Sequence, residues 1–362
     1  MQRSGAARPL RWGTGGRAIG LPALSPAWML AAFAFLAVAA LLGLTLGPVG
    51  LGVGRVAREL ASHVPLVGID SPLTPTEDAI LWELRAPRVV LGLLVGAMLA
   101  SAGAAYQGVF RNPLADPYLL GAAAGAGLGA TLVIAYGEGA AASRDLRTVA
   151  AFAGAVLGVA AAYAIGRSVG GGRSTATLIL AGVTVASFLT AVQTFVQQHR
   201  SDTVQEVYAW ILGQLETSGW RDVAVALPYV AASAAVLLLH RRLLDVLAVG
   251  DEEAASLGVR VARVRLLVVA AATLGTAAAV ALSGLIAFVG IIVPHAIRLI
   301  AGTSYRIVLP LSLAFGAGFL VLADLLARTI IAPAELPIGV VTAFFGAPFF
   351  AVILRTTRAA GQ

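Results

Sequence analysis

The chain has 362 residues; 59% are hydrophobic, only 12% are charged, and the formal charge is +7. Soluble domains carry about 25% charged residues, so this chain cannot cover a water-facing surface, and its apolar excess equally excludes disorder. All 25 basic residues are Arg and Cys is absent, which removes Walker A and Schiff-base lysines, thiolate nucleophiles, disulfides and cysteine metal sites.

The first 26 residues hold Arg3, Arg8, Arg11 and Arg17 with no acid, and are expected to form a disordered cytoplasmic extension. A membrane-crossing helix needs about 20 mostly apolar residues. Charge-free runs follow at 27–47, 89–110, 117–137, 148–166, 174–198, 223–239, 266–297, 307–323 and 336–354. The first run exceeds the apolar core of a signal peptide, about 7–15 residues, and reads as a retained helix. The stretch Leu266–Ile297 would be about 48 Å long as one helix, against a hydrocarbon core of about 30 Å. Ser283-Gly284 interrupts it, which predicts two helices joined by a tight turn and ten spans in all.

Both ends of the chain are basic and acid-free, so the positive-inside rule places both in the cytoplasm and demands an even number of spans. With ten spans, sixteen Arg and five acids fall on the cytoplasmic side, and nine Arg and twelve acids fall outside. Gly43/Gly47, Gly92/Gly96, Gly121/Gly125/Gly129 and Gly154/Gly158 repeat at four-residue spacing, the pattern of a closely packed helix bundle in lipid. The expected fold is an all-α polytopic membrane protein, with one transmembrane domain over 27–356 and no soluble domain.

Asp324 is the one acid inside a predicted span, four residues before Arg328, and reads as half of a structural i,i+4 pair. Ion-coupled transporters place ionisable residues within their spans. Here Asp324 is the single candidate, so energy for uphill transport is expected from a partner. The four His (His63, His199, His240 and His295) are too dispersed for a local metal motif, and neither Gly-x-Ser-x-Gly nor His-Glu-x-x-His occurs.

Four segments carry a resemblance: ELRAPRVVLGLLVGAMLASAGAAYQGVFRNPLADPYLLG at 83–121, GDEEAASLGV at 250–259, ALSGLIAFVGIIVPHAIR at 281–298 and ELPIGVVTAFFGAP at 335–348. From about residue 28 to its C-terminus the chain resembles the FecCD-type permease subunits of ABC importers for iron chelates, haem and cobalamin. The resemblance implies a type II importer permease fold of ten transmembrane helices. It further implies a homodimer in the bacterial inner membrane, with the translocation path at the dimer interface. Two cytoplasmic ABC ATPase subunits would hold ATP and Mg, and a periplasmic or lipid-anchored binding protein would deliver a bulky metal chelate. The chain itself is expected to bind no cofactor or metal, to catalyse no reaction and to touch no nucleic acid. The alternative is an ion-coupled secondary transporter.

The residues fit particular roles in that scheme. Gly250, Asp251, Glu252, Glu253, Ala254, Leu257 and Gly258 lie in the cytoplasmic segment 241–262. Asp251 can cap a short helix there, with the acids favoured in its first turn; in the resembling family this is the ATPase coupling helix. Arg85 and Arg88 flank Pro87 at a helix start, where the dipole prefers anions, and with Arg328 they match positions that dock the binding protein. Ser201, Asp202, Tyr208 and Trp210 fall where the family has its gate. Asn112, Pro113, Asp116 and Pro117 read as a rigid turn, with Asp116 capping the third span. Pro294 is expected to kink the eighth span, His295 and Arg298 to sit at its end, and Pro337 to open the last one.

Overall fold

The computed structural model describes residues 24–64, 70–137, 140–170, 175–216 and 219–359. The expected N-terminal extension therefore falls almost wholly outside the described residues. Among these, every regular element is helical. In chain order the α-helices are α1 Pro26–Thr45, α2 Val53–Ser62, α3 Pro75–Ala79, α4 Ala86–Phe110, α5 Ala122–Tyr136, α6 Ala140–Gly170, α7 Thr175–His199, α8 Val204–Ile211, α9 Trp220–Val249, α10 Asp251–Ser256, α11 Val261–Ser283, α12 Val289–Ala301, α13 Tyr305–Ala327 and α14 Ile338–Ala359, with a π-helical turn at Ile80–Arg85 joining α3 to α4 and a 3₁₀ turn at Ser201–Thr203.

Seven of the described helices are long and apolar enough to cross a membrane: α1, α3 running on into α4, α6, α7, α9, α11 and α13. Three shorter apolar helices accompany them: α5, α12 and the first part of α14. Large apolar side chains face outward along the bundle, among them Phe33, Leu180, Phe188, Phe195, Leu239 and Phe344. In water such a surface would aggregate; in a bilayer it is solvated.

α4 is the axis of the bundle and packs against α13, α11, α9 and α12. Its buried face is built from small residues, and close approach follows. A Cβ on Gly125 of α5 would fall on the Gly154 carbonyl of α6. Such backbone contact is how helices gain dispersion energy where lipid removes the hydrophobic drive between them.

The long apolar run does divide. α11 ends at Ser283, Gly284 takes φ 68°, and α12 starts at Val289. The intervening backbone is satisfied from elsewhere: Gln214 N–H donates to Ser283 O at 2.8 Å, and Tyr118 Oη donates to Ile286 O at 3.0 Å. Unwound chain at this depth is tolerated because protein covers it.

The third run differs from expectation. Asp116 does not cap α5, which begins only at Ala122 after left-handed Gly121. Its Oδ1 instead accepts from Tyr118 N–H at 2.8 Å, closing a turn one step earlier. Asn112 Oδ1 does the same for Leu114 N–H at 2.9 Å. Pro294 lies inside α12, His295 meets Phe349 edge-on at 6.1 Å, and Pro337 immediately precedes α14.

Candidate functional site: two charged poles of the bundle

At the pole where α4 begins and α13 ends, three guanidinium groups and two carboxylates converge. Arg88 Nη2 donates to Asp324 Oδ1 at 2.8 Å and to Glu335 Oε2 at 2.8 Å, and its Nη1 donates to Glu335 Oε1 at 3.1 Å. Asp324 also lies 3.5 Å from Arg328 Nε, the expected i,i+4 pair. Asp324 is 2% exposed, so both cations compensate a carboxylate removed from water.

Arg85 and Arg328 are turned inward, at 6% and 4% exposure. Arg85 donates to Leu44 O at 3.0 Å, to Thr45 O at 2.9 Å and to Val49 O. Arg328 donates to Gly43 O. These carbonyls include those of the last turn of α1, which have no partner within the helix, and cations suit the negative end of its dipole. The misfit of two Arg at the start of α4 is thereby explained: Arg85 serves a different helix end. Of the three Arg expected to face a docked partner, Arg85 and Arg328 do not present their guanidinium groups. Arg88 reaches the surface, at 18% exposure.

A polar cavity of about 250 Å³ is lined by α8 and by the end of α11. Arg144, Arg147, Glu206, Trp210 and Gln214 are among its lining residues. Arg147 pairs with Glu206 at 3.3 Å, and Arg144 pairs with Asp222 at 3.1 Å. Of the expected gate residues, Trp210 lines this cavity. Ser201 and Asp202 form a 3₁₀ turn, and Tyr208 and Trp210 lie on α8. Asp202 is held below its usual carboxylate range by the hydrogen bond from Arg200.

The opposite pole carries α10. Within the expected segment 241–262, residues to Val249 belong to α9, and only Asp251–Ser256 form a separate helix. Asp251 is not its cap: that position is Gly250, with no side-chain bond. Asp251 instead pairs with Arg265 of α11 at 3.0 Å and with Arg111 at 3.3 Å, tying α10 to the ends of α11 and α4. Ala254 is buried, while Glu252, Glu253 and Leu257 are exposed, Leu257 at 70%. Gly258, at φ 80°, turns the chain back toward α11. The result is a short rigid knob with one aliphatic side chain at its tip.

The same pole is braced by Asp245, which accepts from Ser304 Oγ at 2.8 Å and from Tyr305 N–H at 2.6 Å at the start of α13. Arg298 donates to Gln107 Oε1 at 2.5 Å. Neither bracing role is legible from spacing, since the partners lie 59 and 191 positions apart.

The pattern of the FecCD transport family matches residues 35–356. The chain belongs to that family. YvrB of Bacillus subtilis, an uncharacterised ABC transporter permease protein, is 41% identical over 335 residues, which cover 91% of this chain and 94% of the relative. The cobalamin import system permease protein BtuC of Halobacterium salinarum is 43% identical over 280 residues, covering 77% and 74%. The hemin transport system permease protein HmuU of Yersinia pestis is 39% identical over 295 residues, covering 79% and 86%. A solved chain described as a metal-chelate-type ABC transporter in an inward-facing conformation superposes with a TM-score of 0.78. It is 28% identical, with 92% of this chain and all of that one covered. This FecCD chain is thus a multi-span membrane permease of the type II importer fold, helical in every regular element among the described residues.

Proposed function

We propose that the chain is the permease subunit of an ATP-driven importer of a bulky metal chelate, working as a homodimer. The observation that carries this is α10, an exposed knob fixed to α11 and α4 in a chain with no nucleotide-binding lysine of its own. Such a knob transmits force only if a second protein receives it. The receiver in this reading is a cytoplasmic ABC ATPase, one per permease copy, with both chain termini on its side of the bacterial inner membrane.

Relatives named for cobalamin, hemin and iron chelates point to the same cargo class, and a large cargo suits a path between two subunits. At the far pole, a periplasmic or lipid-anchored binding protein docks through Arg88, whose outer partner Glu335 is 46% exposed and replaceable by a partner carboxylate. Arg85 and Arg328 support that surface from beneath by holding α1. The turn at Ser201–Thr203 and α8 close the path on that side.

The test is uptake of haem, cobalamin and ferric siderophores by cells carrying the full transporter. Uptake continues when a protonophore collapses the ion gradient while ATP is maintained. It stops when the P-loop lysine of the ATPase is substituted. Uptake that follows the gradient and ignores the ATPase would establish the ion-coupled alternative. The pairing of Asp324 with Arg88 and Arg328 argues against that alternative, since a coupling acid must be free to exchange its proton.

A further inference from the structure

A separate cavity of about 580 Å³ opens between α6 and α11, away from both charged networks at the far pole. Val156, Ala160 and Ala164 of α6 face Leu266, Ala270 and Leu274 of α11 across it. Small side chains at 160, 164 and 270 leave the space. From Val156 to Arg167 the groove follows eleven residues of helix, about 16 Å, which is half of a hydrocarbon core of about 30 Å. It therefore spans one leaflet, on the α10 side. Within its apolar length Thr273 is already bonded to Tyr106 Oη at 2.8 Å, so nothing there recognises a polar ligand.

The mouth is different. Arg167 lies over the Tyr163 ring at 6.0 Å, is exposed, and makes no ion pair with a described residue. Arg263 stands three positions before Leu266 on α11, is likewise exposed, and has no acidic partner among the described residues. Arg167 thus lines the mouth of an apolar slot one leaflet deep, and helical spacing sets Arg263 one turn before Leu266 on the same face of α11.

We infer that this groove is a binding site for an anionic phospholipid. One acyl chain lies between α6 and α11, and the phosphate bridges Arg167 and Arg263. Guanidinium offers paired donors matched to phosphate oxygens, and each basic group near an anionic headgroup contributes about fivefold in affinity. The inference rests on the groove and its mouth, and stands whether or not the chain is a chelate importer.

The test is native mass spectrometry of the full purified chain, titrated with phosphatidylglycerol and with phosphatidylcholine of the same acyl composition. The wild-type chain should retain phosphatidylglycerol roughly 25-fold more strongly, from two charges at about fivefold each. Arg167→Gln with Arg263→Gln should equalise the two lipids, and the double Lys replacement should keep most of the preference. Ala270→Phe, which fills the slot, should weaken both. Equal retention of the two lipids by the wild-type chain would overturn the site. So would a preference unchanged in the double Gln variant, or cross-linking that seats a second copy of the chain over Ala270.

Discussion

Arg88 and Asp324 stand 236 positions apart in the chain and meet at 2.8 Å at the junction of α4 and α13. Asp324 is buried, and Arg328 approaches it from the other side. Glu335, the second acid on Arg88, is half exposed. Removing one partner of a buried pair strands the other charge, whereas an exposed pair contributes little. Asp324→Ala is therefore expected to destabilise the fold by about 3–5 kcal/mol, and Glu335→Ala by about 1 kcal/mol or less. Thermal unfolding of the detergent-solubilised chain measures the difference. Equal effects would contradict the assignment of Asp324 as the centre of the cluster.

Arg85 fastens the end of α1 through three carbonyls. Arg85→Met removes the side-chain donor from all three and leaves Thr45 O with the Leu51 N–H alone, a loss of about 1–3 kcal/mol. The signature is local: hydrogen exchange should accelerate at the amides of Leu46 and Leu51, which bond to Leu42 O and Thr45 O. Exchange that rises uniformly over the chain, or not at all, would speak against a role at α1.

Asp116 gives a pH dependence. Burial pushes its carboxyl up from 3.8 to about 6, partly offset by the Tyr118 N–H. A carboxyl raised on folding stabilises the protein below its unfolded value, and that contribution is lost as pH rises through the folded value. Asp116→Asn keeps the acceptor oxygen and removes the titration. The variant should match wild type near pH 3, below the unfolded value, and exceed it at pH 7, by at most about 3 kcal/mol. Unfolding curves at the two pH values check this, and a variant weaker at pH 7 would refute it.

Gly125 and Gly154 bring α5 and α6 into backbone contact. Gly125→Ala should cost about 1–3 kcal/mol by overpacking. Gly54, in α2, has nothing near a built Cβ, so Gly54→Ala should be neutral or stabilising by up to about 1 kcal/mol. Parallel melting of the two variants separates close approach from a general intolerance of the larger side chain.

These relationships mark how far the amino-acid sequence can be read. The spans are legible because charge is expelled from lipid, and the break at Ser283-Gly284 because one helix would overrun the bilayer. The i,i+4 link of Asp324 to Arg328 follows from helical geometry alone. Arg85 could not be assigned that way: its acceptors are carbonyls some forty positions earlier, and carbonyls leave no mark on composition. Asp251 looked like a cap because its local setting fits one; Arg265 and Arg111, brought in by tertiary packing, take the carboxylate instead. The start of α3 was within reach, since Thr74-Pro75-Thr76-Glu77 forms a capping box with Pro at the first turn.

The most direct test of the central claim is ATP hydrolysis by a cognate ABC ATPase reconstituted with this chain in proteoliposomes. Wild type and Leu257→Asp are compared, the latter placing a charge at the tip of α10 without touching the core. Chelate-loaded binding protein should stimulate hydrolysis and uptake together with wild type. The variant, at unchanged thermal stability, should lose both by roughly tenfold or more, as a truncated interface hot spot does. Chelate accumulation by the chain alone under an ion gradient, or full coupling in the variant, would contradict the account.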